Sequence, residues 1–205
     1  MPKSRTEAFS DGVFAIAITL LIIEVRVPDS KSGELARDLA SQWPSYAAYL
    51  VSFVIIGIIW VNHHDIFERI TTVDRPLLFL NLLLLLTVAF LPFPTALLGQ
   101  YIRQGDNAHI AAAVYGANMV LIGLAFIAVW TYLARVPSLL EPELGADGAR
   151  RARRAAVIGP VVYGLSIPLA FVSPVACLIV YAAMALYFAI AFTVARHSGE
   201  VTSNR

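Results

Sequence analysis

The stretch RTEAFSDGVFAIAITLLIIEV, residues 5–25, decides what fold this chain can adopt. It opens with charges at Arg5, Glu7 and Asp11, and from Gly12 to Ile23 only Thr19 interrupts an apolar run. Ser4-Arg5-Thr6-Glu7 has the capping-box spacing, which predicts a helix starting at Ser4. At about 100° per residue, Phe9, Gly12, Val13, Ile16, Thr19, Leu20, Ile23 and Val27 share one face, and Asp11 points away from it. Lys3 and Arg5 ahead of an apolar run resemble a secretory signal peptide. No small-residue cleavage site follows, however, so the segment reads as a retained first helix.

Working outward, the same apolar character recurs. Hydrophobic residues make up 59% of the 205 and charged residues only 14%, with a mean hydropathy of +0.73. Soluble domains average about 45–50% apolar and about 25% charged, so this chain has too little polar surface to cover itself in water. A membrane-crossing helix needs roughly 20 mostly apolar residues. Six stretches meet that need, at 8–27, 44–64, 77–99, 108–134, 153–172 and 175–195. They are continuous runs and not alternating ones, which favours helices over a barrel. The expected fold is therefore an all-α integral membrane protein with six transmembrane helices. Pro160 and Pro168 make the fifth the least regular, and Pro174 separates it from the sixth.

Basic residues orient this layout. With the amino terminus in the cytoplasm, Lys3, Arg5, Arg69, Arg75, Arg135, Arg150, Arg151, Arg153, Arg154, Arg196 and Arg205 lie inside. Only Arg26, Lys31, Arg37 and Arg103 lie outside, and an even number of spans returns the carboxyl terminus to the cytoplasm. Residues 1–195 then form one transmembrane domain, followed by a polar, disordered tail at 196–205. The run from Arg150 to Arg154 reads as a topology anchor at the headgroups, with a lipid-binding patch as the alternative.

Asp11 lies at membrane depth, where ionisable groups are costly and need partners. The candidates are Asn62, His63 and His64 late in the second helix and Asn81 in the third. Arg5, six residues away, sits on another side of the helix. The Ile16 stripe admits three readings: lipid-facing, core or pore-lining. Thr19 could bond back to the carbonyl of Ala15. Adjacent histidines such as His63 and His64 diverge on a helix, so no metal site is expected. No cofactor is expected either. Cys177 cannot form an intrachain disulfide because it is the one cysteine.

Arg5, Phe9, Ser10 and Asp11 match in full the motif (arginine, three residues, then Phe-Ser-Asp) by which the transmembrane protein 175 family is known. The run from Arg5 to Thr19 strongly resembles that family's first helix. Trp60, His63, His64 and Asn81 also look like family positions. The resemblance implies a cation channel without a TVGYG filter, and this chain has none. It implies a homotetramer around four first helices, with Ile16 as the hydrophobic constriction and Leu20 and Ile23 as further apolar rings. Thr19 would be the layer linked to potassium preference, and potassium is the permeant ion. On physical grounds Glu24 would reinforce negative potential at the outer mouth.

Other classes are weaker. A net charge of +1 gives no basis for nucleic-acid binding. No helix carries Arg or Lys at every third position, as a voltage sensor would. An enzyme would need a nucleophile with a base, and Ser166 and Ser173 have no nearby histidine, so no catalysis is expected. A secondary transporter or a proton leak using Asp11, His63 and His64 remains the alternative. The expected surroundings are membrane lipids and monovalent cations in a prokaryotic plasma membrane.

Overall fold

The computed structural model describes residues 3–203, with side chains as far as Phe188. Its helices are α1 (Lys3–Leu20), α2 (Leu35–Ser41), α3 (Trp43–Glu68), α4 (Arg75–Ala89), α5 (Pro92–Tyr101), α6 (Asp106–Arg135), α7 (Gly145–Ala156), α8 (Ile158–Ala170) and α9 (Pro174–Ser203). A 3-10 turn, Leu21–Glu24, extends α1. The architecture is all-helical among the described residues, apart from one isolated bridge between Ile70 and Leu140.

Four units are long and apolar enough to cross a membrane: Lys3–Glu24, Trp43–Glu68, Arg75–Tyr101 and Asp106–Arg135. The third expected span, 77–99, is one of these four; Pro92 and Pro94 lack the N–H groups that would reach Val88 and Phe90 and divide it into α4 and α5. A proline also shortens the fifth. Pro160 likewise cannot bond to Ala156. The fifth expected span, 153–172, therefore starts only at Ile158, and its first residues belong to α7. At 1.5 Å per residue α8 is only about 20 Å long. The apolar part of α9, Pro174–Phe188, is also short. The backbone of α9 stays helical to Ser203, through most of the stretch expected to be a disordered tail. The side chains of that stretch and residues 204–205 lie outside the description.

The first helix also ends earlier than its apolar pattern. It stops being α-helical at Leu20 and leaves helical geometry altogether at Val25, whose ψ is 97°. Val27 is consequently 91% exposed and off the stripe. Ser4 is already inside α1 and does not cap it.

Helix α6 is central, touching α4, α5, α7, α8 and α9. Close approach there depends on glycine. A Cβ on Gly123 would stand 2.2 Å from Pro160 Cγ, and one on Gly116 would stand 2.8 Å from the Tyr181 hydroxyl. Hydrogen bonds stitch the interior across helices, as small and hydroxyl side chains do in lipid. Thr95 donates to Ser52 (2.8 Å), Ser52 meets the Tyr115 hydroxyl (3.0 Å), and Tyr181 donates to the Ala112 carbonyl (2.9 Å).

The connections at one end are tied together. Lys3 Nζ donates to the Glu68 carbonyl (3.2 Å), and Thr71 and Arg69 pair with Leu139 and Glu141 through the backbone. Asp74 caps α4 by accepting from the Leu77 N–H (3.0 Å) and also accepts from the Tyr132 hydroxyl. Arg69, Arg75, Arg135 and the arginines of α7 flank these joints, while Arg26 and Arg103 line a cleft at the opposite end. The two charge groups therefore occupy opposite ends of the bundle.

Candidate permeation face and its polar anchor

Helix α1 has two faces with different fates. Thr6, Ser10, Phe14 and Ala17 are buried, and Leu21 continues the stripe into the 3-10 turn at 0% exposure. Their spacing of three and four residues puts them on one side, packed against α3 and α4. The other side is open. Phe9, Ile16, Leu20 and Ile23 are 55%, 61%, 41% and 68% exposed. Gly12 and Thr19 are exposed on the same side. An apolar strip of this kind meets lipid, another chain or a dewetted conduit.

The buried face is fixed by a chain of side-chain hydrogen bonds from three helices. Ser10 donates its hydroxyl proton to the Thr6 carbonyl (2.9 Å) and accepts from Asn81 Nδ2 (3.0 Å). That leaves Asn81 Oδ1 toward His63 Nε2 at 2.8 Å. An oxygen there can only accept, so His63 carries a proton on Nε2. Ser10, His63 and Asn81 are at most 2% exposed. The imidazole is held between Phe14, edge-on at 5.2 Å, and Phe67, stacked at 4.4 Å. Ser10, Asn81 and His63 each find a partner in this chain, whereas the buried Thr6 hydroxyl does not, so it is the Ser10 link that fixes the rotation of the helix about its axis.

Asp11 finds a different partner from those expected. It accepts from Trp60 Nε1 at 2.8 Å, and not from Asn62, His63, His64 or Asn81. The reason is angular: Trp60 and His64 share the stripe of α3 beside α1, whereas Asn62 is two residues from Trp60 and lines a cleft elsewhere. Asn81 and His63 are instead reached by Ser10, one residue earlier. His64 stacks on Trp60 (6.1 Å) and its Nε2 lies 3.2 Å from Glu68. Arg5 is exposed and has no partner among the described residues.

Thr19 donates to the carbonyls of Ala15 and Ile16, each at 2.9 Å. Its proton is thus turned into its own helix, and the lone pairs of the exposed oxygen face outward. A hydroxyl so arranged is an acceptor to anything passing that face. Glu24 falls in the 3-10 turn, where it lines a cleft of about 290 Å³ together with Arg26 and Arg103. It is not on the Ile16 strip. Among the described residues no group of three or more His, Cys, Asp or Glu could hold a metal ion.

Sequence reasoning named every member of the anchor except Thr6 and the two aromatic rings around His63. The signal for Phe14 and Phe67 was present in their spacing, since Phe14 lies four residues after Ser10 and Phe67 four after His63.

Comparison with known proteins agrees with this geometry. The profile of the family described as the endosomal/lysosomal potassium channel TMEM175 matches residues 5–92, which hold α1, the anchor and α4. A potassium channel of Streptomyces collinus is 51% identical over 187 residues, 91% of each chain. The crystal structure of a lysosomal potassium-selective channel TMEM175 homolog from Chamaesiphon minutus superposes with a TM-score of 0.82. It is 38% identical and covers 92% of this chain and 97% of its own. The human endosomal/lysosomal proton channel TMEM175 is 33% identical over 158 residues, 72% of this chain but 31% of its own. With such identity spread over nearly the whole length, this chain belongs to the TMEM175 family.

Proposed function

We propose that the chain is one subunit of a homotetrameric potassium-selective channel in a prokaryotic plasma membrane. The observation that carries this reading is the exposed strip of Ile16, Leu20 and Ile23 on a helix whose opposite face is locked by Ser10, Asn81 and His63. One helix cannot enclose a conduit, whereas four related by symmetry can. The bacterial relatives named potassium channels support the ion.

In this reading each subunit crosses the membrane six times. Helix α8 and the apolar half of α9 add the last two spans to the four long ones, and both termini lie in the cytoplasm, on the side of the eleven basic residues. The Ile16 ring is the constriction, and a narrow apolar ring blocks ions by dewetting. Leu20 and Ile23 extend it outward. Four Thr19 oxygens offer lone pairs that can replace part of a cation's water shell. The carboxyl ends of the four α1 helices add partial negative charge on the outer side. Glu24 contributes there only indirectly, because Arg26 and Arg103 share its cleft. No cofactor and no catalytic group enters this mechanism.

The test is a reversal potential in a planar bilayer. An elementary charge gains about 2.3 kcal/mol per 100 mV, and a tenfold gradient is worth about 1.4 kcal/mol, so a potassium-selective pore reverses at about 60 mV. Reversal near zero in that gradient would reject potassium selectivity. The animal relatives are named proton channels, which keeps proton conduction as the second reading. In that case the reversal potential follows pH and ignores potassium.

A further inference from the structure

One feature of the bundle is not used by permeation. A cleft of about 470 Å³ opens between α3, α6, α7, α8 and α9, with no α1 residue in its wall. Its depth is apolar, built from Ile55, Ile59, Ile122 and Phe126, and it is kept open by small residues, Ala152, Ala155 and Gly159. A Cβ on Gly159 would meet nothing closer than Phe188 Cζ at 4.0 Å among the described residues. Along α3 the lining changes from Ile55 and Ile59 to Asn62, Asp65 and finally Arg69. Asp65 is already engaged by the protein itself.

Helix α7 brings more positive charge to the same end. Leu144 and Ala155 line the cleft, and Arg151 stands on their helical stripe between them. Arg150 is neutralised by Asp147 at 2.8 Å, whereas Arg151 is exposed and has no partner among the described residues. The volume falls within the about 300–1,000 Å³ of small-molecule sites. From Ile55 to Arg69 the groove runs about 21 Å at 1.5 Å per residue. One leaflet of hydrocarbon is about 15 Å deep. An apolar slot of leaflet depth with Arg69 in its wall and Arg151 on an adjoining helix has the chemistry of an anionic phospholipid.

We propose that this cleft holds one acyl chain of an anionic phospholipid, whose phosphate is bound by Arg69 and Arg151. Charge selects the occupant over a second copy of the chain, because Asp65 at the polar end is already engaged and a lipid phosphate satisfies Arg69 and the neighbouring Arg151. The inference rests on the membrane placement of the chain and not on which ion it conducts.

Native mass spectrometry of the detergent-purified oligomer, titrated with dioleoyl phosphatidylglycerol or dioleoyl phosphatidylcholine, tests it. Two surface arginines predict about thirtyfold tighter binding of the glycerol lipid. Gly159→Leu and Ala155→Leu, which fill the slot from different helices, should each abolish that binding. The double variant Arg69→Gln/Arg151→Gln should bind both lipids alike. Equal binding of the two lipids by the unmodified channel overturns the headgroup assignment. Undiminished phosphatidylglycerol binding in both filled variants overturns the cleft assignment. If filling the slot splits the oligomer while lipid binding persists, the cleft seats a second copy and the proposal is wrong. Ion conduction is read separately in bilayers, so a failed lipid result and a failed potassium result are distinguishable.

Discussion

Replacing Asn81 with alanine asks whether the polar anchor positions α1. Asn81 is 2% exposed and bonds in two directions, to Ser10 at 3.0 Å and to His63 at 2.8 Å. The two losses are unequal. Ser10 keeps its own donation to the Thr6 carbonyl and forfeits only an acceptor role. His63 is left with an Nε2 proton and no acceptor, boxed in by Phe14 and Phe67. An orphaned buried donor costs about 1–3 kcal/mol, and the small cavity adds to it. Interhelical hydrogen bonds in lipid average only about 0.6 kcal/mol because alternative partners exist, but a ring enclosed by two aromatic side chains has none. The expected loss is about 2 kcal/mol, which for a chain of this size is a drop of about 4–8 °C in melting temperature. The measurement is thermal unfolding in detergent, alongside Trp60→Phe. That control removes the hydrogen bond to Asp11 at a site where Trp60 is 42% exposed, so the group left behind is not enclosed as His63 is. Its cost should stay near the average of about 0.6 kcal/mol for an interhelical hydrogen bond in lipid. A fall of under about 2 °C for Asn81→Ala, or one no larger than that of Trp60→Phe, would refute the claim that the buried network fixes the helix.

Three further outcomes follow. Ile16→Asn should raise the leak current by an order of magnitude or more in bilayers, because a wetted ring removes the barrier, while unchanged current would move the constriction elsewhere. Thr19→Val keeps shape and should leave the melting temperature unchanged, since the hydroxyl bonds only to Ala15 and Ile16 of its own helix. It should shift the reversal potential between potassium and sodium solutions toward zero, and an intact preference would remove Thr19 from selectivity. Gly123→Ala should destabilise by about 1–3 kcal/mol through overpacking against Pro160. Adding Pro160→Ala should recover part of that loss in unfolding experiments, and strict additivity would show that the two residues do not touch.

The parts readable in the sequence were those set by one helix at a time. The Ile16 strip and the buried Ser10 side follow from a 3.6-residue period, and membrane residence follows from composition. What could not be read depends on proline registry or on two helices meeting. The division of the third span was written in Pro92 and Pro94, yet its form depends on turn bonds that the sequence does not show, Leu91 N–H to the Val88 carbonyl (3.0 Å) and Phe93 N–H to the Phe90 carbonyl (3.1 Å). Helix α7 reads in the sequence as a basic headgroup anchor, because four arginines dominate it. Its packing stripe of Gly148, Ala149, Ala152 and Ala156 is made of residues too small to register as an apolar run. The partner of Asp11 required knowing that α3 turns Trp60 and not Asn62 toward α1.

These observations divide the labour along α1. Among the described residues, its interhelical hydrogen bonds lie between Lys3 and Asp11, in the first half of the helix. Beyond Phe14 the contacts that hold it there are apolar, through Ala17 at 1% and Leu21 at 0% exposure. Hydrogen bonds are directional and set the angle about the helix axis, whereas apolar contact is roughly proportional to area and tolerates small slides. In the proposed channel the rotation of the Ile16 ring is thus dictated from below by Ser10 and Asn81, and its distance from the axis by Ala17, the smallest side chain on the buried face. A motion that opened the constriction would have to change that distance while leaving the anchor intact. The weaker, non-directional half of the helix is where such a motion costs least.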